Sequence, residues 1–167
     1  MVFSRGFRRG LIATLLYVPA AFSALFETST NDLAAAVVTA RTEKKQLMVM
    51  FEQADCGYCE RMKRTVLRDT ATETAITHRF HTVAVSLDSD AMLIDSTGKS
   101  TTVRELASRL HLLATPVFVF YDGNGQILYR YAGVLTEPAD FQLLGRYVSD
   151  GAYEQQPFAE YRRQRRP

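Results

Sequence analysis

Only two cysteines occur in the 167 residues, and they stand three apart, as Cys56-Gly57-Tyr58-Cys59. Two thiols so spaced at the start of a helix can close an intramolecular disulfide without moving the backbone far. The first would sit where unpaired backbone N–H groups and the positive end of the helix dipole stabilise a thiolate. That placement lowers a thiol pKa from about 8.5 towards 3.5–7.5. Cys56 is therefore expected to be the nucleophile, and Cys59, one turn deeper and shielded, the thiol that resolves the mixed disulfide. Two rival readings give the pair no redox role. Buried thiols can pack as small hydrophobes, but Gly57 and the polar Asp55 beside the pair argue against that. Zinc needs four ligands, and without a second cysteine pair the histidines must complete the set. His78 and His81 have a suggestive spacing, yet Arg79 and Phe80 between them mark a helix-to-strand junction. His111, ahead of Leu112-Leu113, reads as a loop or core-edge residue. No metal site is expected, and no cofactor is called for.

A second feature completes the chemistry. Pro116 directly precedes the apolar run Val117–Phe120, so it should begin that strand without interrupting it, because proline cannot donate to a ladder. Proline is also the residue at which a cis peptide bond is cheap. A cis bond here would turn the Thr115 backbone towards the cysteines and leave it free to bind an extended substrate segment as an added strand.

The elements that must position these residues alternate along the chain. Thr28-Ser29-Thr30-Asn31-Asp32 supplies caps for a helix running to about Lys45. Leu47–Phe51 is an unbroken apolar run, as expected of a strand buried on both faces. After Cys56 a helix carries Cys59, Met62 and Val66 on one face. Val83, Val85 and Leu87 alternate as a strand, and the segment 88–100 is read as a small added hairpin turning near Gly98. Thr102 and Glu105 form a capping box for a helix bearing Val103, Leu106 and Leu110. Val117–Tyr121 and Gln126–Tyr131 flank the turn Asp122-Gly123-Asn124-Gly125. Thr136-Glu137-Pro138 opens a last helix whose apolar face is Phe141, Leu144 and Val148. This order gives an α/β fold, a mixed central sheet flanked by helices on both faces. Met48, Met50 and Met62 have the spacings of core fillers.

Charge divides the chain further. The formal net charge is +2, but residues 1–23 hold Arg5, Arg8 and Arg9 and no acid. Residues 24–150 carry 13 basic against 16 acidic side chains, which gives no electrostatic reason to expect nucleic-acid binding. Met1–Gly10 is basic, Leu11–Val18 is apolar, and Ala21-Phe22-Ser23 offers small residues for cleavage after Ser23. These are the parts of a secretory signal. The apolar run from Leu11 to Phe26 is interrupted by Pro19 and falls short of the roughly 20 residues needed to span a bilayer. Residues 1–23 are therefore expected to be a signal peptide, 24–150 one domain, and 151–167 a tail. The four arginines of that tail (Arg162, Arg163, Arg165 and Arg166) are expected to form a solvated, frayed end. Export implies an oxidising compartment such as a bacterial periplasm.

The segment Phe51-Glu52-Gln53-Ala54-Asp55-Cys56-Gly57-Tyr58-Cys59, followed by Thr115-Pro116-Val117-Phe118-Val119-Phe120, resembles the thioredoxin superfamily. So do Asp122-Gly123-Asn124-Gly125 and Tyr131-Ala132-Gly133. More narrowly, the chain is similar to exported thioredoxins of the SoxW type, through Tyr147–Tyr153 and Phe158-Ala159-Glu160-Tyr161. Cys-Gly-Tyr-Cys is similar also to the active site of periplasmic disulfide isomerases. The resemblance implies a thioredoxin fold, with Cys56 attacking, Cys59 resolving, Pro116 the cis-proline, and Thr115 and Tyr58 contacting substrate. Many thioredoxins carry a buried acid six residues before the first cysteine. Here that position is Met50, so proton transfer at Cys59 needs another base or water, with Glu52 and Glu60 the nearby candidates. Direction remains open between a reductase, which the SoxW-type resemblance favours, and an oxidase or isomerase. An isomerase usually needs a dimerising module, and none is evident, so a monomer is expected. Protein thiols and disulfides would be the substrates, with a membrane thiol carrier as electron donor. A non-catalytic metal- or protein-binding module is the alternative from a different class.

Overall fold

The computed structural model describes residues 25–165; the expected signal peptide lies outside them. Four strands make the central sheet, in the order β2-β1-β5-β6. β1 (Gln46–Glu52) runs parallel to β2 (Phe80–Ser86) and antiparallel to β5 (Val117–Tyr121), which pairs antiparallel with β6 (Ile127–Ala132). β1 is buried along its length because both of its faces are covered. Successive side chains of a strand point to opposite faces. Leu47, Val49 and Phe51 join Val83, Val85, Val117 and Val119 on one side, packed with α1 (Leu33–Thr42) and α4 (Val103–Arg109). Met48 and Met50 join Phe118 and Phe120 on the other, packed with α2 (Gly57–Thr65), α3 (Thr70–Thr77) and α5 (Pro138–Ser149).

Local signals set most boundaries. The Asp32 side chain accepts from the Ala35 N–H at 2.8 Å and caps α1. That helix ends at Thr42, short of the expected Lys45, because Lys44 adopts a left-handed φ of 58° that returns the Lys45 N–H to the Ala40 carbonyl at 2.8 Å. The capping box of Thr102 and Glu105 is present on α4. One helix was expected after Cys56, and the chain forms two. The N–H groups of Val66 and Leu67 both donate to the Met62 carbonyl at 2.9 Å, closing α2. Asp69 then accepts from the Thr72 N–H and restarts the chain as α3.

The hairpin expected in 88–100 forms, but it spans Met92 to Thr102 and so ends two residues later. β3 (Met92–Ile94) pairs antiparallel with β4 (Ser100–Thr102), and Gly98 turns between them at φ 86°. Asp95 anchors it, accepting from the Thr97 and Lys99 N–H groups and pairing with Arg109 at 2.8 Å. Burial works against the Asp95 charge, but these hydrogen bonds and the Arg109 guanidinium outweigh it and hold the carboxyl below its ordinary range. The hairpin also docks on the β5–β6 turn through a 2.8 Å bond from the Ser96 hydroxyl to the Gly125 carbonyl. Gly125 has φ 78°, and a Cβ there would lie 2.1 Å from the Ser96 carbonyl oxygen, so only glycine fits.

The expected frayed end is corrected by the structure. Residues 152–154 form a 3-10 turn and Phe158–Arg165 a sixth helix, α6. Phe158 and Tyr161 are buried against Tyr147, with ring centroids 5.3 and 5.1 Å away. The Arg165 guanidinium stacks on the Tyr161 ring at 3.9 Å and the Arg162 guanidinium lies 5.9 Å from the Phe158 ring, while Arg163 and Arg165 stay exposed, so the segment is helical and solvated. At the other end, residues 28–30 run along the outer edge of β2, giving and taking hydrogen bonds with Ala84. Phe26 packs on Phe118 at 5.7 Å. Among the described residues, no helix is long and apolar enough to cross a membrane.

Candidate functional site

β1 ends at Glu52, and the loop 53–55 carries the chain from the carboxyl edge of the sheet to Cys56, the N-cap residue of α2. Cys56 is extended, with φ −83° and ψ 90°, and its Sγ accepts from the Cys59 N–H at 3.1 Å. Sulfur thus takes the place that a hydroxyl or carboxylate oxygen holds in an ordinary cap. A negative charge on that sulfur gains from the same N–H and from the dipole of α2. The two residues are joined as a disulfide, with Cα atoms 5.2 Å apart. Cys56 is 9% exposed and Cys59 only 1%. Cys56 borders an open groove and Cys59 does not.

A groove of about 580 Å³ opens at Cys56, and Asp55, Tyr58, Arg61, Asp88 and Thr115 line it. Tyr58 is 61% exposed, a large apolar ring on the rim. The Thr115–Pro116 bond is cis, as expected. Thr115 faces the groove, whereas Pro116 is buried behind it. Among the described residues neither the N–H nor the carbonyl of Thr115 is engaged in a hydrogen bond, so both are available to an extended segment.

The loop before Cys56 is held from both sides. Thr115 donates its hydroxyl to Gln53 Oε1 at 3.3 Å. Asp88 Oδ2 accepts from the Ala54 N–H at 2.7 Å and from the Ser86 hydroxyl at 2.9 Å. Sequence reading missed Gln53, Arg61 and Asp88 as site residues. The one available signal was that Asp88 follows directly on a strand whose carboxyl end lies at the site edge.

Met50 is fully buried on the Cys59 side of the sheet. Glu52 continues the same face of β1, and its carboxylate pairs with Lys63 Nζ at 2.6 Å. Lys63 stands one helical turn beyond Cys59 on α2, so this carboxylate lies along the helix that carries the resolving thiol. A cavity of about 400 Å³ lined by Leu25, Phe26, Glu52, Lys63 and Leu67 connects the pair with solvent. Glu60 is exposed in the first turn of α2 and does not line the groove. His78 caps α3 and His81 pairs with Glu43 at 3.3 Å, both at the amino end of the parallel strands. A strand length of about 20 Å separates that end from the cysteines, so these histidines cannot complete a metal site with them.

A pair of thiols that closes reversibly into a disulfide, one accessible and one shielded, performs thiol–disulfide exchange. Among solved structures, the chain is similar to a thioredoxin from Thermus thermophilus, with 26% identity and a TM-score of 0.59 over 77% of this chain and 93% of that one. It is also similar to a thioredoxin-fold protein from Helicobacter pylori, with 19% identity and a TM-score of 0.57 over 73% of this chain and 80% of that one. A third is a DsbH oxidoreductase, with 19% identity and a TM-score of 0.56 over 81% and 92% of the two chains. At their identities the last two speak for the fold alone. No curated protein sequence matches significantly. The model of the thioredoxin-like domain matches residues 33–149, from α1 through α5 with the cysteine pair and the cis-proline inside it. The chain belongs to that thioredoxin-like domain family.

Proposed function

We propose that this chain is an exported thiol–disulfide oxidoreductase of the SoxW type that works as a reductase of protein disulfides in a periplasm. The observation that carries the exchange chemistry is Cys56 at the helix cap, its sulfur bonded to the Cys59 N–H at the floor of an open groove. The direction rests on the resemblance in Tyr147–Tyr153 and Phe158–Tyr161, and the location on the signal-like residues 1–23. Reduced Cys56 attacks one sulfur of a substrate disulfide laid against Thr115 and Tyr58. The substrate S–S bond breaks, the leaving sulfur departs as a thiol after taking a proton, and a mixed disulfide remains. Cys59 then loses its proton to the Glu52 carboxylate and attacks the Cys56 sulfur, which breaks the mixed disulfide; the second substrate sulfur leaves as a thiolate and takes up a proton. The internal disulfide closes and two electrons have passed to the substrate. A membrane thiol carrier returns two electrons and two protons, because a periplasm offers no reducing buffer. The protein acts as a monomer.

A Cys59→Ser variant tests this reading. It should accumulate substrates covalently attached through Cys56, released by reductant. Trapping no substrate, with stoichiometric metal bound to the wild type instead, would support a binding module and end the proposal.

A further inference from the structure

A second groove, of about 380 Å³, runs on from the first and shares Gln53, Asp88 and Thr115 with it. Three walls enclose it: the exit of β2 at Leu87–Asp90, α4 at Val103, Arg104 and Ala107, and the loop 112–114. Its floor is apolar, since Leu87 and Leu112 pack on the core beside Val103. Its lip is Leu113, which is 95% exposed. That exposure is built. His111 takes a left-handed φ of 50°, and the Arg130 guanidinium grips the Leu110 and His111 carbonyls, so the base of the loop is pinned while Leu113 points outward.

The charges differ between the two carboxylates along the groove. Asp90 is bound by both ends of the Arg104 guanidinium, which cancels it. Asp88 forms no ion pair among the described residues, although Arg61 lines the same cysteine groove; its Oδ2 accepts from the Ala54 N–H and the Ser86 hydroxyl. A groove with an apolar floor and a polar rim, continuous with the cysteine groove where Asp55 and Arg61 also lie, and with the unpaired Asp88 carboxylate at the junction, suits one kind of occupant.

We propose that this second groove is a specificity subsite for the segment flanking the substrate cysteine. Resting on the oxidoreductase reading, it selects an extended chain with an apolar side chain against Leu113 and a lysine or arginine against Asp88, both within two residues of the cysteine. Strand spacing of about 3.3 Å per residue allows this, because Thr115 lies at the border of the two grooves. The exit of β2 and helix α4 thereby gain a role, as walls that distinguish substrates.

The test is single-turnover reduction of a peptide disulfide panel by pre-reduced protein, in which each position within two residues of the cysteine is set in turn to Leu, Ser, Lys or Glu. The expected second-order rate constants favour Leu over Ser and Lys over Glu by about tenfold, the discrimination a small side chain in a pocket provides. In Leu113→Ser the Leu-to-Ser ratio should fall to near one, and in Asp88→Asn the Lys-to-Glu ratio should do so. Leu113 touches no core, so that variant will fold. Equal rates for all peptides in the wild type, or a Leu-to-Ser ratio unchanged in Leu113→Ser, would overturn the subsite and leave the oxidoreductase reading intact. Failure of the wild type to reduce any peptide would overturn both.

Discussion

Replacing Glu52 by glutamine keeps the shape of the side chain and removes its ability to take a proton. The Glu52–Lys63 pair is 2.6 Å long, with the two side chains 15% and 31% exposed. A pair so placed contributes about 1 kcal/mol or less to stability. If Glu52 only holds α2 against β1, Glu52→Gln should cost that much and change nothing else. If it accepts the Cys59 proton, losing it should slow the resolving step by about a hundredfold, the low end of general-base effects. That is about 2.7 kcal/mol of barrier, well above the stability cost, so the two roles separate in size. The assay is stopped-flow mixing of reduced protein with a fluorogenic peptide disulfide, with acid-quenched samples weighed for the mixed disulfide. The variant should form the Cys56 adduct at the wild-type rate and release it about a hundredfold more slowly. The difference should narrow at strongly alkaline pH, where hydroxide replaces the base. Release at the wild-type rate at neutral pH would refute the assignment and leave Glu52 as an ion-pair partner of Lys63 only, at a stability cost of about 1 kcal/mol or less.

Two further predictions concern the frame. Phe158→Ala should cost about 3 kcal/mol in denaturant unfolding, because Phe158 is buried against Tyr131 and Tyr147; a loss under about 0.5 kcal/mol would mean that α6 does not pack. Asp95→Asn should cost about 2 kcal/mol at neutral pH, since it breaks the Arg109 pair of a largely buried carboxylate. Because folding depresses the Asp95 pKa, its contribution is present above the unfolded value of about 3.9 and lost as pH falls towards the folded value. The wild type and this variant should therefore converge below about pH 4 in urea melts, and a constant gap down to pH 2 would contradict it.

The parts of the fold that were legible in the chain are those with local causes. Thr102 and Glu105 cap α4 from within one turn, and Asp122 accepts from the Asn124 and Gln126 N–H groups inside its own hairpin loop. Cys56, Cys59 and the Thr115–Pro116 bond were readable for a similar reason, since residue type and spacing carry their chemistry. The break after α2 was not. Cys59, Met62 and Val66 keep a helical face straight through it, and the restart at Asp69 is a second cap with no breaker ahead of it. The C-terminal helix was also hidden, because Phe158 and Tyr161 become core only once Tyr147 and Tyr131 are in place. Asp88 reaches its partner Ala54 across 34 residues, a separation no local pattern reports. Leu113 reads as one more apolar residue until the loop turns it outward.

The most direct test of the central claim is the equilibrium reduction potential of the Cys56–Cys59 pair in the folded protein, titrated against a thiol buffer. A reductase fed by a membrane carrier should show roughly −230 mV or lower. A value of about −120 to −180 mV would place the protein on the side of disulfide formation or shuffling and contradict the proposed direction.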